Sequence, residues 1–364
     1  MLRRLTGLIL LSTCLATTPA ASAAELWNDV FIAARGATKV TVLDPDTLEF
    51  AATLDVGLVP AALAVSVPLK LLVIADGISP RIAFFDLGDR ELHMLALDFV
   101  PQRILFAPSG TVLVAIDTIG GSVAFIDAAA RSVTERIADL GPIREALFSD
   151  DGRMFYVSTD TVGLTPFDAS HVTIAKRPVS TAPFSAFARS PNGREGFGLR
   201  AGGMIDVFDL RRGERLDRLR DASSADAVFV TGTGRFLVLL DNAHQQIAIA
   251  AVEGLRSVAA VPAKPGMTWV YSAWFDMVAF VTLTAERELL VYDLDHAQSR
   301  GSIALDGTPG PGAVTPDGSK LFLPVADPSA VLVIDAPTGQ IVSRVPLSAA
   351  PILAVMAGSY GLCH

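Results

Sequence analysis

One pattern returns eight times along the chain: an apolar stretch that ends in an acidic residue and then turns. It reads VTVLD to Asp44, IAFFD to Asp86, VAFID to Asp127, LTPFD to Asp168, IDVFD to Asp209, IAAVE to Glu253, LLVYD to Asp293 and VLVID to Asp335. The spacings are 42, 41, 41, 41, 44, 40 and 42 residues. A period this even means that each repeat is one supersecondary unit, unable to bury its apolar face alone and obliged to stack on its neighbours. It leaves no room for a second domain.

Each period carries four short strand candidates. In the last complete unit they are GAVTPDG, KLFLPVAD, AVLVID and QIVSRVPL. The turns between them, among them SDDGR, SPNGR and TGTGR, supply the Asp, Asn and Gly that tight hairpins require. No window holds a capped helical period over three turns. Four antiparallel strands in about 40 residues predict an all-β fold, a β-propeller with four-stranded blades. The small-residue strand that opens each unit also occurs eight times: PAALAVS, PQRILFAP, PIREALFS, FSAFARSP, ADAVFVTG, TWVYSAWF, GAVTPDG and PILAVMAG. The chain starts in the second strand of a unit, at DVFIAAR, and ends just after a first strand, PILAVMAG. One blade is therefore expected to be shared by both termini, which closes the ring and leaves no open sheet edge. Eight blades are expected, with seven as the alternative if the unit around IAIAAVEG is irregular. GTPGPG reads as a turn because of its prolines.

Small and β-branched apolar residues dominate, with 51% hydrophobic and 18% charged, which suits tightly packed sheet. The net charge of −9 argues against nucleic acid or an anionic membrane as partner. Residues 1–23 read as a signal peptide: Arg3 and Arg4, an apolar run from Leu5 to about Leu15, and an A-x-A site at Ala21-Ser22-Ala23. Cys14 is a poor lipoprotein cysteine because Thr13 precedes it. The apolar run is too short to span a bilayer, and no second run reaches spanning length. Residues 24–364 are then one exported propeller domain, expected in the periplasm, with Cys363 as its single thiol.

Units built as TPDG, KLFLPVAD and AVLVID resemble the YVTN family of bacterial β-propellers, although the slots of the tetrapeptide itself read LLVIAD, FYVSTD and LFLPVAD here. The eightfold count also resembles the haem d1 domain of cytochrome cd1 nitrite reductase and its biosynthetic relatives. The resemblance covers nearly all of the mature chain. It implies the propeller fold and carries over no haem-binding residue. It is what suggests an accessory role beside a redox or metal-handling system.

In a propeller, the loops entering the innermost strands and the turns between second and third strands frame one mouth of the central channel. The residues ending the second strands are Arg35, Asp76, Asp117, Asp160, Arg200, Asp241, Thr284 and Asp327. Aspartate in such a slot caps the turn that follows. Arginine does not, so Arg35 and Arg200, in opposite units, stand out. The loops entering the innermost strand add Arg103 and Arg144, each two residues after a proline, and Arg81 is expected near the same mouth. Converging guanidiniums suit a carboxylate or phosphate, which makes these five arginines the candidate anion site. Arg103 and Arg144 are expected to be solvated charges, whose joint loss costs no more than ~1 kcal/mol. The eight acids that end the third strands are expected to be structural.

The histidines form no metal motif: His93, His171, His244 and His296 are scattered, and His244 alone falls on the mouth side. No phosphate loop and no nucleophile elbow occur. The C-terminal SYGLCH offers the Cys363 thiolate, the His364 imidazole and the terminal carboxylate, donors of the kinds that hold zinc or copper. An odd thiol in an exported chain also suits a mixed disulfide, and YGLCH resembles a haem c attachment motif with Tyr360 in place of its first cysteine. The chain is thus expected to be a binding or interaction module for a protein partner or a small anionic ligand. The alternative is an enzyme acting on an anionic substrate at the mouth through Arg103, Arg144 and Asp117.

Overall fold

The structure, a computed structural model, describes residues 26–219 and 224–359. Eight antiparallel sheets follow one another around a ring, and the chain is an eight-bladed β-propeller. Blades 2 to 7 each take four consecutive strands. Blade 1 is composite, as the strand order requires. Its innermost strand is Pro351–Val355 from the C-terminal end, followed outward by Val30–Ala34, Lys39–Leu43 and Phe50–Asp55. Among the described residues there is no α-helix, only the 3-10 turn Leu26–Asn28, and no helix long and apolar enough to cross a membrane.

The strand patterns explain the layering. Middle strands such as Leu71–Asp76 are buried along their whole length, because neighbouring blades cover both faces. Outer strands such as Leu92–Ala96 alternate exposed and half-buried positions, with water on one side. The core is a chain of interfaces between adjacent blades. Phe125 of blade 3 meets Phe148 and Phe155 of blade 4, with ring centroids 6.4 Å and 5.1 Å away. The ring closes in the same way: Phe322, Val331 and Val333 of blade 8 pack on Val30, Ile32 and Ala354 of blade 1.

Seven of the eight acids that end the third strands, all but Glu253, hold their turns. Asp44, Asp86, Asp127, Asp168, Asp209, Asp293 and Asp335 each accept amide N–H bonds from the turn two or three residues on. The unit around IAIAAVEG is regular, with Gln246–Ala251 paired on both sides. The irregular unit is blade 8, and GTPGPG is not a turn. It is the innermost strand of that blade, interrupted: Thr308–Pro309 and Ala313–Val314 both pair with Lys320–Ala326. Pro311 lacks the N–H a continuous ladder needs. Gly312 lies so close to the next strand that an added Cβ would fall 2.5 Å from the Phe322 carbonyl oxygen, so only glycine fits.

Candidate functional site

Backbone bonds between the second-strand ends and the innermost strands define the mouth. Arg35 N–H donates to Ala350 O at 2.7 Å, Gly77 N–H to Val59 O at 3.2 Å and Asp160 N–H to Pro142 O at 3.2 Å. These second-strand ends sit where the sequence puts them, but the side chains at such ends do different work. Asp76, Asp117 and Asp241 cap their turns, accepting N–H from Ile78, Ile119 and His244. Arg35 is exposed. Arg81 bonds the buried Asp76 through Nε at 2.7 Å. Arg200 bonds Asp206 at 2.6 Å and Ser180 Oγ at 2.7 Å, and lies over the Phe184 ring at 4.7 Å.

A cavity of about 480 Å³ opens in the channel. It spans blades 3 to 7, and four polar side chains on its blade 4 wall are Arg144, Glu145, Ser158 and Asp160. Phe184, Phe187, Phe229 and Trp269 supply aromatic wall from blades 5, 6 and 7. Of the five arginines singled out from the sequence, the cavity is lined by Arg144 alone. Arg103 stands behind it, its Nη2 on Glu145 Oε1 at 2.5 Å and its Nη1 on the Arg144 carbonyl at 3.3 Å. Arg200 buttresses the neighbouring blade 5 wall through Phe184.

Two β-bulges aim the walls. In blade 4, Ile143 pairs with Thr159 and Glu145 with Ser158, so Arg144 is the extra residue, and Glu145 and Ser158 share a face. In blade 7, Met267 pairs with Leu283 and Val270 with Val281, so Thr268 and Trp269 together oppose Thr282. The Thr282 hydroxyl fills the gap, accepting the Trp269 N–H at 3.0 Å. Such bulges redirect single side chains at the ends of strands.

Arg144 Nε forms an ion pair with Asp160. The Arg144 side chain is 54% exposed, as a solvated charge should be. The expectation fails for Arg103, whose side chain is only 27% exposed and whose carboxylate partner Glu145 is 15% exposed. Burial pushes the Glu145 carboxyl above its ordinary range, and the Arg103 charge and hydrogen bond work against that rise. Asp206, fully buried, is also desolvated, but the guanidiniums of Arg218 and Arg200 outweigh this and hold it ionised below its ordinary range. Ser158 is 1% exposed, and its hydroxyl has no hydrogen-bond partner among the described residues.

The fold has solved counterparts. The chain is similar in structure to dihydro-heme d1 dehydrogenase NirN in complex with DHE, with a TM-score of 0.76 and 18% identity over 94% of this chain and 78% of that one. It is also similar to apo AztD from Citrobacter koseri (TM-score 0.70, 16% identity, 92% of this chain and 98% of that one). A third is the hydrazine synthase of Kuenenia stuttgartiensis (TM-score 0.57, 12% identity, 89% of this chain and 99% of that one). No family model and no curated protein matches the sequence. At these identities the likeness to NirN, AztD and hydrazine synthase is one of fold.

Several residues of the cavity escaped the sequence. Glu145 and Ser158 sit in the middle of ordinary strand patterns and carry no signal of their own. Trp269 had one: TWVYSAWF is the innermost strand of its unit, and a large aromatic there has only the channel to occupy. Cys363 and His364, the candidate metal donors, lie outside the described residues. The last described residue, Ser359, is tied by its hydroxyl to Val314, next to the first turn of blade 8 on the face away from the mouth.

Proposed function

We propose that this chain is a periplasmic binding module: a signal peptide over residues 1–23 is removed, and residues 24–364 form one propeller domain that takes a ligand in the channel-mouth cavity. The observation that carries this reading is the meeting, in one concave site, of a buried hydroxyl with no hydrogen-bond partner among the described residues (Ser158) and a half-exposed guanidinium (Arg144).

The finer reading is that of an accessory to a redox or metal-handling system, in a repeat family akin to the YVTN propellers. It is supported by the solved propellers of like fold, which include a dihydro-heme d1 dehydrogenase holding DHE and a hydrazine synthase. On this reading Cys363 and His364 bind zinc or copper, and of Arg35, Arg81, Arg103, Arg144 and Arg200 it is Arg144, the one lining the cavity, that gives the mouth its preference for an anionic ligand.

The enzyme alternative has less to work with. Asp117 spends one carboxylate oxygen on the amides of Ile119 and Gly120. Among the described residues neither His nor Cys lines the cavity. His244, Asp241 and Ser224 do meet at the mouth, but both the carboxylate and the hydroxyl lie on the same ring nitrogen, Nδ1, at 3.0 Å and 2.8 Å. A base that activates a hydroxyl needs its orienting carboxylate on the other nitrogen. Asp241, desolvated but bonded by Ser224, the His244 amide, Gln246 and the His244 ring, is held down to about 2 and is no general base at neutral pH.

The test is native mass spectrometry together with metal analysis of protein purified from a periplasm. A bound organic anion released on denaturation, and lost in the Arg144→Gln variant, is the expected result. Protein that carries no ligand, and that no anion stabilises against heat, overturns the reading. Thiol labelling with and without a chelator tests the tail: protection lost only after chelation is expected, and rapid labelling in both conditions removes the metal site.

A further inference from the structure

We propose that the ligand is a monocarboxylate with a flat aromatic body, its carboxylate on Arg144 and its ring against Trp269; this deepens, and rests on, the reading of the mouth as a ligand site. Four observations lead there. First, Trp269 is 40% exposed in a concave site, although it sits on the innermost strand of a blade. A bulge puts it there, where a straight strand would give one residue opposite Thr282. Leaving an indole half in water inside a channel is costly unless something flat covers it. Second, Phe229 lines the same cavity half-buried, with Phe184 and Phe187 buried in the wall beneath it, so the surface that Trp269 continues is partly aromatic. Inorganic phosphate or a short aliphatic diacid would leave the exposed part of Trp269 facing water.

Third, the charges are asymmetric. Glu145 is already matched by Arg103, and Arg144 approaches Asp160 through Nε while its side chain stays 54% exposed. A guanidinium edge of this kind can make two parallel bonds to one carboxylate. A second carboxylate on the ligand would meet Glu145 and Asp160, so one is favoured over two. Fourth, the Ser158 hydroxyl, on the same face as Glu145, is buried and unpaired beside this charge. It can donate to the same carboxylate or to a ring substituent. A volume of about 480 Å³ is within the range of sites that enclose a small organic molecule and well above the need of a bare anion.

Isothermal titration calorimetry of the purified full-length mature protein with naphthoate, its neutral isostere naphthamide, and succinate separates the terms. Naphthoate is expected to bind, naphthamide about tenfold more weakly and succinate without saturation, since a bidentate charged pair and a stacked ring each contribute about a factor of ten. Arg144→Gln is expected to bring naphthoate down to the level of naphthamide. Trp269→Ala should weaken both aromatic probes, and Trp269→Phe, which keeps a ring, should restore most of the loss and guards against a folding defect. Equal binding of succinate and naphthoate, both lost in Arg144→Gln, overturns the aromatic body and leaves the mouth as the binding site. No binding of any probe by a protein that carries an organic ligand from the periplasm overturns the inference alone. No binding by a protein that also carries no ligand overturns both.

Discussion

The turns after the third strands and the mouth of the channel use the same residue type for opposite ends. Around the rim, an aspartate at seven of the eight repeated positions accepts amides of its own turn. The Thr47 amide lowers Asp44 against the opposing effect of burial, and the Ser170 amide lowers Asp168. Asp293 is desolvated, but the His296 amide and Arg300 bring it down to about 2. At the mouth, Glu145 has one backbone amide, its neighbour Ala146, and one arginine, and burial pushes it up. Repetition marks carboxylates that the backbone satisfies locally. The carboxylate that occurs once is held by a side chain 42 positions away, in the next blade.

The strongest way to break the comparison is at the ring closure, which both regions depend on. Removal of residues 353–364 deletes most of Pro351–Val355, the innermost strand of blade 1, and with it the packing of Ala354 on Phe322 and Val331. An exposed edge at Val30–Ala34 follows, and the expected outcome is loss of soluble monomer, read by size-exclusion chromatography. Removal of residues 362–364 alone should shift the thermal midpoint by no more than a few degrees, about 1 kcal/mol or less.

Next in size is Arg103→Ala, which leaves Glu145 buried without its cation. About 2 kcal/mol of destabilisation is expected in urea unfolding at neutral pH, less than for a fully buried pair because the Arg103 side chain is 27% exposed. Glu145→Gln in the Arg103→Ala background should recover much of it. A loss below 0.5 kcal/mol, the range of solvated surface charges, would put Arg103 back among them.

The pH dependence separates rim from mouth by sign. Asp293 has its folded pKa depressed from an ordinary 3.8 to about 2, so its stabilisation is present above pH 3.8 and is lost as pH falls toward 2. Asp293→Asn should therefore cost about 2 kcal/mol at pH 6 and almost nothing near pH 2. Glu145 is shifted the other way: its stabilisation is present below its ordinary 4.5 and is lost as pH rises through the raised folded value. The difference between Glu145→Gln and the natural protein should move in favour of the variant as pH rises, opposite to Asp293→Asn. Slopes of the same sign for both would remove the contrast.

The smallest effect is expected at a single rim cap. Asp127 accepts the Ala130 N–H at 2.8 Å on a turn exposed to water, and Asp127→Ala should cost no more than ~1 kcal/mol by thermal unfolding. The same substitution made at Asp86 should cost about as much, since equivalent positions do equivalent work.

The likeness to solved propellers adds the fold and little else, so the residues of the site had to come from the geometry. Arg144 was legible because a proline fixes the loop before it and guanidiniums at a mouth invite an anion. Arg103 was legible as a position but not as a role, because its partner Glu145 reads as one more polar residue in a strand. Arg200 drew notice for the right reason, since it caps no turn, yet its charge is taken by Asp206 and its plane by Phe184. GTPGPG misled because proline and glycine usually end a strand, whereas here Gly310, Pro311 and Gly312 let an innermost strand break and resume against a continuous neighbour.

By itself the sequence determined whatever repeats: the period, the four strands, the number of blades, the composite first blade and the capped rim. Each of these is enforced by local chemistry within some 40 residues, and a feature written eight times is read with eightfold redundancy. Tertiary structure alone decided the cavity. Arg144, Ser158 and Trp269 are up to 125 positions apart, and each faces the channel because of a bulge or a partner across the sheet that shifts register by one residue. A shift of one residue turns a side chain to the other face of its strand, and nothing in the local sequence records which residue is the extra one.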